Sequence, residues 1–197
     1  MRLLPTLFVV AIAAGAWHYY ASRPLEHPAG EIAPHDPVQV TRSGLAPFAV
    51  KGYRITPLAD FSAEARVLSA ENYHAGREAD LSPTDLALGW GPMSDSAVLA
   101  RLQISQGNRF YFYRWSDGPP ISPQEIVTHS ANMHMIPASD DVRRRLGQVR
   151  TGEVVSLRGY LVRVEAPDGW RWNSSLTRSD SGNGACELVW VEEIAAR

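Results

Sequence analysis

The 197-residue chain contains one cysteine, Cys186, and one lysine, Lys51. A single cysteine cannot form an intrachain disulfide or supply a cysteine zinc site, so both kinds of scaffold are excluded. The formal net charge of −2 and the pI near 6.3 give no electrostatic reason to expect nucleic acid as a partner. No G-x-S-x-G turn surrounds Ser174 and Ser175, so nothing in the sequence indicates a serine hydrolase.

The N-terminal stretch has no charged side chain over residues 3–20, although Arg2 precedes it. About 18 residues at about 1.5 Å each just span a hydrocarbon core, and Trp17 near the far end suits a membrane interface. We therefore expect residues 1–22 to form a transmembrane helix, an uncleaved anchor with the domain on the extracytoplasmic side. A cleaved signal peptide is the alternative, because small residues at 14–16 follow the apolar run.

The anchor is followed by a segment, residues 23–47, that contains five prolines and shows little periodicity. This composition is typical of an extended, semi-rigid linker, which we expect to lift the rest of the chain off the membrane. The remaining residues 48–197 have the size of one ordinary domain, and the 45% apolar composition of the chain is enough for a real core.

Within the domain, alternating apolar and polar residues predict strands, and capping residues predict short helices. Strands are expected over Phe48–Pro57, the middle of Phe61–Tyr73, Arg109–Trp115, Glu153–Glu165 with a bend at Gly159, and Ala185–Val191. Helices are expected after Ser82, after Ser94 or Asp95, after Ser122 and after Ser139. The predicted fold class is α+β, a mostly β domain with short capped helices and a curved or partly closed, OB-like sheet.

Four blocks of the sequence carry a resemblance to a known family: ITPLADFSAEARVL, LSPTDLALGWGPMSD, HSANMHMIPA and SSLTRSDSGNGACELVWVE. They span the chain from Ile55 to Glu193 and resemble the recurring blocks of a family of uncharacterised bacterial membrane-anchored proteins. The family has no assigned activity, so the resemblance implies no catalytic residues. It implies a soluble domain behind an N-terminal anchor. Arg2 before the apolar segment and the long chain after it indicate that the domain is on the periplasmic, extracytoplasmic side of a bacterial cell membrane.

The residues with the chemistry of metal ligands are Glu125, His129 and His134, with Asn132 as a further hydrogen-bonding group. Glu125 and His129 are four residues apart and could share a helical face, with His134 returning from the next element. A small hydrolase centred on these residues, with or without a metal, is one interpretation. Metallohydrolase helices carry two histidines around a glutamate, which this segment lacks. We therefore favour a hydrogen-bond network that contains both histidines, and we predict no cofactor.

Cys186 is a second candidate, because a cysteine and a distant histidine can act together as a thiol nucleophile. However, it alternates with Leu188 and Trp190 in an apolar segment. Burial on an apolar face disfavours the thiolate, so we expect Cys186 to be a small buried core residue.

Three tryptophans, Trp90, Trp170 and Trp172, are candidate binding residues together with His129, Asn132 and His134. Trp90 lies between two glycines, and Trp170 and Trp172 flank one arginine. Such rings can stack on a sugar or another apolar ligand, or they can close the rims of a small β core.

The function that these observations favour is a membrane-anchored extracytoplasmic binding module, non-catalytic, whose partner is an unknown protein or a component of the cell envelope. The alternative is the small hydrolase centred on Glu125, His129 and His134.

Overall fold

The structure is a computed structural model, and it describes Gly15 and residues 23–41, 45–177 and 186–197. The predicted membrane anchor at residues 3–20 therefore lies outside the described residues, apart from Gly15. Among the helices of the described ranges, none is long and apolar enough to cross a membrane.

The described chain is mostly β, with a few short helices between the strands. In chain order the elements are β1 (Val38–Thr41), β2 (Phe48–Val50), β3 (Tyr53–Asn72), α1 (Arg77–Leu81), β4 (Thr84–Gly89), a 3-10 helix (Gly91–Ser94), α2 (Ser96–Leu99), β5 (Gln103–Gly107), β6 (Phe110–Arg114), α3 (Pro123–Thr128), β7 (Ser130–Pro137), α4 (Asp140–Leu146), β8 (Val154–Glu165), β9 (Arg171–Asn173) and β10 (Glu187–Ala196). The mostly β character, the short helices and the curved sheet agree with the prediction.

Five strands pair around a ring in the order β3, β4, β7, β10, β8 and back to β3. The ring closes because β3 is 20 residues long and pairs with β8 through its first part and with β4 through its last part. Strands β7 and β10 run parallel, and the other described pairs run antiparallel. Strands β5 and β6 form a separate hairpin between β4 and β7.

Gly159 lies where β8 crosses β10 most closely. A Cβ atom at this position would collide with the carbonyl of Trp190, so only glycine fits. Strand β8 is continuous through Gly159, and the pairing of β10 shifts just beyond it, between Val191 and Glu193. The predicted irregularity is therefore at the right place, but the bulge belongs to the partner strand.

The core lies mainly inside the ring, where alternate residues of each strand point inward. In β4 these are Leu86 and Leu88, whereas Asp85 and Ala87 point to the outer face. Two smaller clusters cover parts of that outer face. One contains Leu188 and Trp190 of β10 and the other packs under the β5–β6 hairpin.

The helix predicted after Ser82 is wrong, because this segment forms β4. The Ser82–Asp85 pattern resembles a helix cap, but β4 pairs with β3 on one side and β7 on the other, and every residue of it is buried. Tertiary pairing thus overrides the local helix signal. The expected single strand Phe48–Pro57 is likewise divided, by a tight turn at Lys51 and Gly52 with φ of 52° and 82°.

The other predicted caps and strands are confirmed. Ser122 and Glu125 form a complete capping box, and Asp95 and Ser139 cap α2 and α4. The expected strand in Phe61–Tyr73 is part of β3, and the Arg109–Trp115 strand is β6. These features depend on local sequence, which explains why pattern analysis finds them.

Residues 23–41 follow the surface of the ring instead of extending away from it as the predicted linker would. The Leu25 N–H donates to the Thr151 carbonyl at 2.9 Å, and the Ala33 N–H donates to Ser94 Oγ at 3.1 Å. Ala33 is buried, and β1 pairs with β3. Prolines favour an extended chain in solution and equally in an extended segment bound to a surface, so composition alone does not distinguish the two.

Asp95 connects this bound segment to α2, since its Oδ1 accepts the N–H groups of Gly30 and Ala97, both at 2.8 Å. The hydrogen bond from Gly30, and then the one from Ala97, hold the pKa of Asp95 below its ordinary value. The ionised carboxylate therefore stabilises the fold at a pH above 3.8, the ordinary pKa, and this contribution is lost as the pH falls through the lower pKa of the folded state.

We expect Asp95→Ala to accelerate amide exchange at Gly30 at neutral pH, because the variant removes the acceptor of this N–H group. Exchange at Leu25 is the internal control, and equal acceleration at both sites would contradict a local role for Asp95.

Candidate functional site

A group of polar and aromatic residues gathers on the outer face of β4, β7 and β10, and we call it the outer-face site. The register places Asp85 opposite His134, and His134 opposite Leu188. Residues on one face of paired strands contact each other directly across the sheet. The site consists of Tyr73, Asp85, Arg109, Asn132, His134, Trp172 and Cys186.

Arg109 is the residue that most of this site contacts. It lies at the turn of the β5–β6 hairpin, where Asn108 and Arg109 have φ of 51° and 69°. Its N–H donates to Tyr73 Oη at 3.1 Å, and its carbonyl accepts Asn132 Nδ2 at 3.0 Å. A non-glycine residue in the left-handed region is uncommon, and this one is fixed by contacts from three separate elements.

The guanidinium of Arg109 extends along the surface of the ring. Nη1 donates to the carbonyl of Ser82 at 2.9 Å and to Asp85 Oδ1 at 2.6 Å. The guanidinium carbon lies 3.8 Å from the centre of the Tyr73 ring and 5.8 Å from that of Trp172. Arg109 is therefore held by a carboxylate and by cation–π contacts with two rings.

Tyr73 is affected by the same contacts. Its partial burial raises the pKa of the phenol, the N–H of Arg109 lowers it, and the nearby carboxylate of Asp85 raises it. The balance is a raised pKa, so Tyr73 remains a neutral phenol near pH 7.

Asp85 and His134 form the buried centre of the site. Asp85 Oδ2 lies 3.0 Å from His134 Nδ1, and the two side chains are 0% and 5% exposed. Among the described residues neither atom has a hydrogen-bond partner, so the pair is close enough for a hydrogen bond but lacks its geometry. A small rotation of the imidazole would convert the contact into a hydrogen bond. The Trp172 ring covers His134, with 4.8 Å between the ring centres.

Cys186 lies beside these groups rather than in the apolar core, which corrects the prediction of a buried core residue. Leu188 and Trp190 are buried as expected, but Cys186 precedes β10 and is half-buried. Its Sγ is 3.9 Å from the Arg109 carbonyl and 4.0 Å from Asn132 Nδ2. Strand β10 begins at Glu187, so Cys186 lies just outside the strand and is not part of the apolar cluster of Leu188 and Trp190.

Glu125 and His129 are not part of the outer-face site. Glu125 belongs to the α3 cap, where the side chain and then the N–H of Ser122 lower the pKa of its carboxyl group. His129 ends the same helix, and its Nδ1 lies 2.9 Å from the Glu125 carbonyl. His134 contacts Asp85 instead, so the two histidines belong to separate networks, against the prediction. Within the described ranges, no group of three or more His, Cys, Asp or Glu residues could hold a metal ion.

The three candidate tryptophans have different surroundings. Trp90 is 1% exposed and packs inside the ring, so it cannot stack on a ligand as an open ring. Trp172 covers His134. The Trp170 ring centre lies 6.0 Å from that of Trp172, and the guanidinium of Arg77 lies over the Trp170 ring. Of the three, only Trp172 lines the outer-face site.

Asp85, Arg109 and Tyr73 are not among the site residues that the sequence predicts. The local pattern places Asp85 near the start of a helix, where an acid is ordinary. As a strand residue between Thr84 and Leu86, it would have been recognised as a carboxylate on the face opposite the core. Arg109 gives no local signal, because its partners come from distant parts of the chain.

Comparisons of the chain with protein-family models, with curated proteins and with solved structures gave no match.

Proposed function

We propose that the protein is a membrane-anchored extracytoplasmic binding module whose ligand contacts the outer-face site. The observation that carries this proposal is the concentration of buried polar groups around the Arg109 side chain, which is 18% exposed. Asp85, Asn132 and His134 are all buried, although polar groups on the outside of a sheet usually face water. Burial of a polar group costs free energy unless it is paired or hydrogen-bonded, and here Asp85 and Asn132 are paired with Arg109 and hold it in position.

The order of the strands supports this placement. The ring β3–β4–β7–β10–β8 is consistent with an OB-like sheet, the architecture that the sequence pattern suggested. In OB-folds the second and third strands and the 1–2 and 4–5 connections bind oligonucleotides or oligosaccharides. Here the corresponding strands are β4 and β7, with Tyr73 in the first connection and Trp172 in the second.

The binding proposal is tested with the full chain in detergent and a purified cell-envelope fraction from which the membranes have been removed. We expect the protein to co-sediment with this fraction and Trp172→Ala to lower the bound fraction at least tenfold, because the variant removes the ring that covers His134. Phe112→Ala is the matched control, since Phe112 is 51% exposed on the β5–β6 hairpin and outside the site. The proposal would be contradicted if both variants bound the fraction equally well, or if the unaltered protein did not bind it.

The anchor is proposed from the uncharged run at residues 3–20. The full-length protein should remain with membranes after a carbonate wash and should be sensitive to protease added from the extracytoplasmic side. Recovery of a mature chain that begins near Trp17 would instead support a cleaved signal peptide.

A second candidate, a thiol-dependent hydrolase, is favoured by one observation. Asp85 lies on β4, His134 lies on the adjacent strand β7, and Cys186 lies just before β10, which pairs with β7 on its other side. In such a reaction the thiolate attacks a carbonyl carbon, the imidazolium protonates the leaving group, and water then hydrolyses the thioester. This candidate replaces the predicted centre, because Glu125 and His129 lie elsewhere.

The thiol candidate predicts that Cys186 reacts with iodoacetamide at pH 6.5 more than tenfold faster than free cysteine, because a paired histidine increases the thiolate fraction. His134→Ala should remove this excess. A rate at or below that of free cysteine, unchanged in His134→Ala, would exclude an activated thiol and leave the binding module as the function.

A further inference from the structure

We propose that Arg109 binds the carboxylate of an acidic sugar at the outer-face site, an inference that rests on the proposed binding function. It assigns a ligand class to the site and a recognition role to one residue.

The first step is the set of donors that Arg109 leaves free. A guanidinium carries five N–H groups, and Nη1 directs its two toward Ser82 and Asp85. In the part of the chain that the structure describes, Nε and Nη2 have no acceptor, and the side chain is 18% exposed. The Nε–Nη2 edge presents two parallel N–H groups, which match the two oxygens of a carboxylate.

The second step is the charge of the site. Asp85 already neutralises Arg109, and Glu71 is close enough to influence Tyr73. A doubly charged phosphate would gain little attraction from this balanced pair and would lose much hydration. A singly charged, planar carboxylate gains the same two hydrogen bonds at a lower desolvation cost.

The third step concerns what carries the carboxylate. The rings of Tyr73 and Trp172 flank the guanidinium, and aromatic faces pack well against the C–H faces of a sugar ring. Gln106 is joined to the site through Asn132, because its Nε2 donates to Asn132 Oδ1 at 2.6 Å, and its Oε1 is a buried acceptor without a hydrogen bond among the described residues. Sugar hydroxyls donate to such amide oxygens after a small side-chain rotation, and a simple aliphatic acid has no hydroxyl to offer.

Cys186 provides a site-specific readout, because it is the single cysteine and its Sγ lies 3.9 Å from the Arg109 carbonyl. The rate of its alkylation by iodoacetamide would be measured by mass spectrometry on the full-length protein in detergent. Four probes are compared: glucuronate, glucose, glucose 6-phosphate and acetate. They vary the charged group on one ring, and then remove the ring.

We expect glucuronate to protect Cys186 at a concentration at least tenfold lower than any of the other three. Equal protection by glucose would exclude a role for the carboxylate, and equal protection by acetate would exclude the sugar ring. Stronger protection by glucose 6-phosphate than by glucuronate would show that the site prefers a phosphate to a carboxylate and would overturn the inference. Absence of protection by all four would overturn the inference.

Arg109→Lys tests the residue itself, because lysine keeps the charge beside Asp85 but lacks the planar edge. Protection by glucuronate should weaken at least tenfold, and undiminished protection would overturn the role of Arg109. If the variant does not fold, the four probes on the unaltered protein still decide. The two proposals can fail separately. If Trp172→Ala loses envelope binding but glucuronate does not protect Cys186 in the unaltered protein, the binding function stands and only the acidic-sugar ligand is rejected.

Discussion

Replacing Arg109 with alanine should lower the free energy of unfolding by about 3–5 kcal/mol, the range for a buried charge that loses its partner. Asp85 is fully buried, and its Oδ1 is 2.6 Å from Arg109 Nη1. Without the guanidinium, this carboxylate would remain in a closed environment, with the His134 imidazole 3.0 Å from its Oδ2. Urea unfolding would measure the loss.

Arg114→Ala is the matched control for this substitution. Arg114 lies on the same hairpin, at the end of β6, with an exposed side chain, so its removal should change stability by less than about 0.5 kcal/mol. The double variant Arg109→Ala with Asp85→Asn should be less destabilised than the sum of the single variants by at least about 1 kcal/mol, since the stranded charge is removed. Additive effects would show that Arg109 contributes through packing alone.

The outer-face site also shows which features can be derived from sequence. Helix α3 is predictable because its signal is local: Ser122, Pro123 and Glu125 form the cap within four consecutive residues. Strand β6 is predictable for the same reason, as its aromatic alternation lies within Phe110–Arg114.

The residues that make the site cannot be predicted in this way, since they meet only when the ring closes. Arg109 and Asp85 are 24 positions apart, and Asn132 reaches the Arg109 carbonyl across 23. Neither separation has a helical or strand period, so no pattern links these residues. The wrong helix over β4 has the same origin. The local preference of this segment is weak, and pairing with β3 and β7 decides its conformation.

The histidines illustrate the opposite error. His129 and His134 are close in sequence, which suggested a single network. His129 lies just before β7, and His134 lies five positions further on, within the strand. At about 3.3 Å per residue, this spacing separates them along the strand. His129 ends α3, and His134 meets Asp85 and Trp172. Closeness in sequence indicates contact within a helix or a turn, but not along a strand.

Replacing Trp90 with alanine should be about as destabilising as the loss of Arg109, for a different reason. Trp90 belongs to the core cluster inside the ring, and its side chain is fully buried there. Removing a fully buried tryptophan side chain costs about 3–5 kcal/mol, because the apolar surface is lost and the cavity that remains does not close fully.

The Trp90→Ala measurement is a urea titration, in which the midpoint should fall while the slope stays constant, as expected for a loss of stability without a change in the unfolded state. Phe112→Ala is the control, since an exposed ring of similar chemistry should change stability little. A Trp90→Ala effect below about 1 kcal/mol, or one equal to that of Phe112→Ala, would mean that the ring interior does not depend on this side chain. A large effect on stability with unchanged glucuronate protection of Cys186 at low denaturant would further separate the core of the ring from the recognition carried by its outer face.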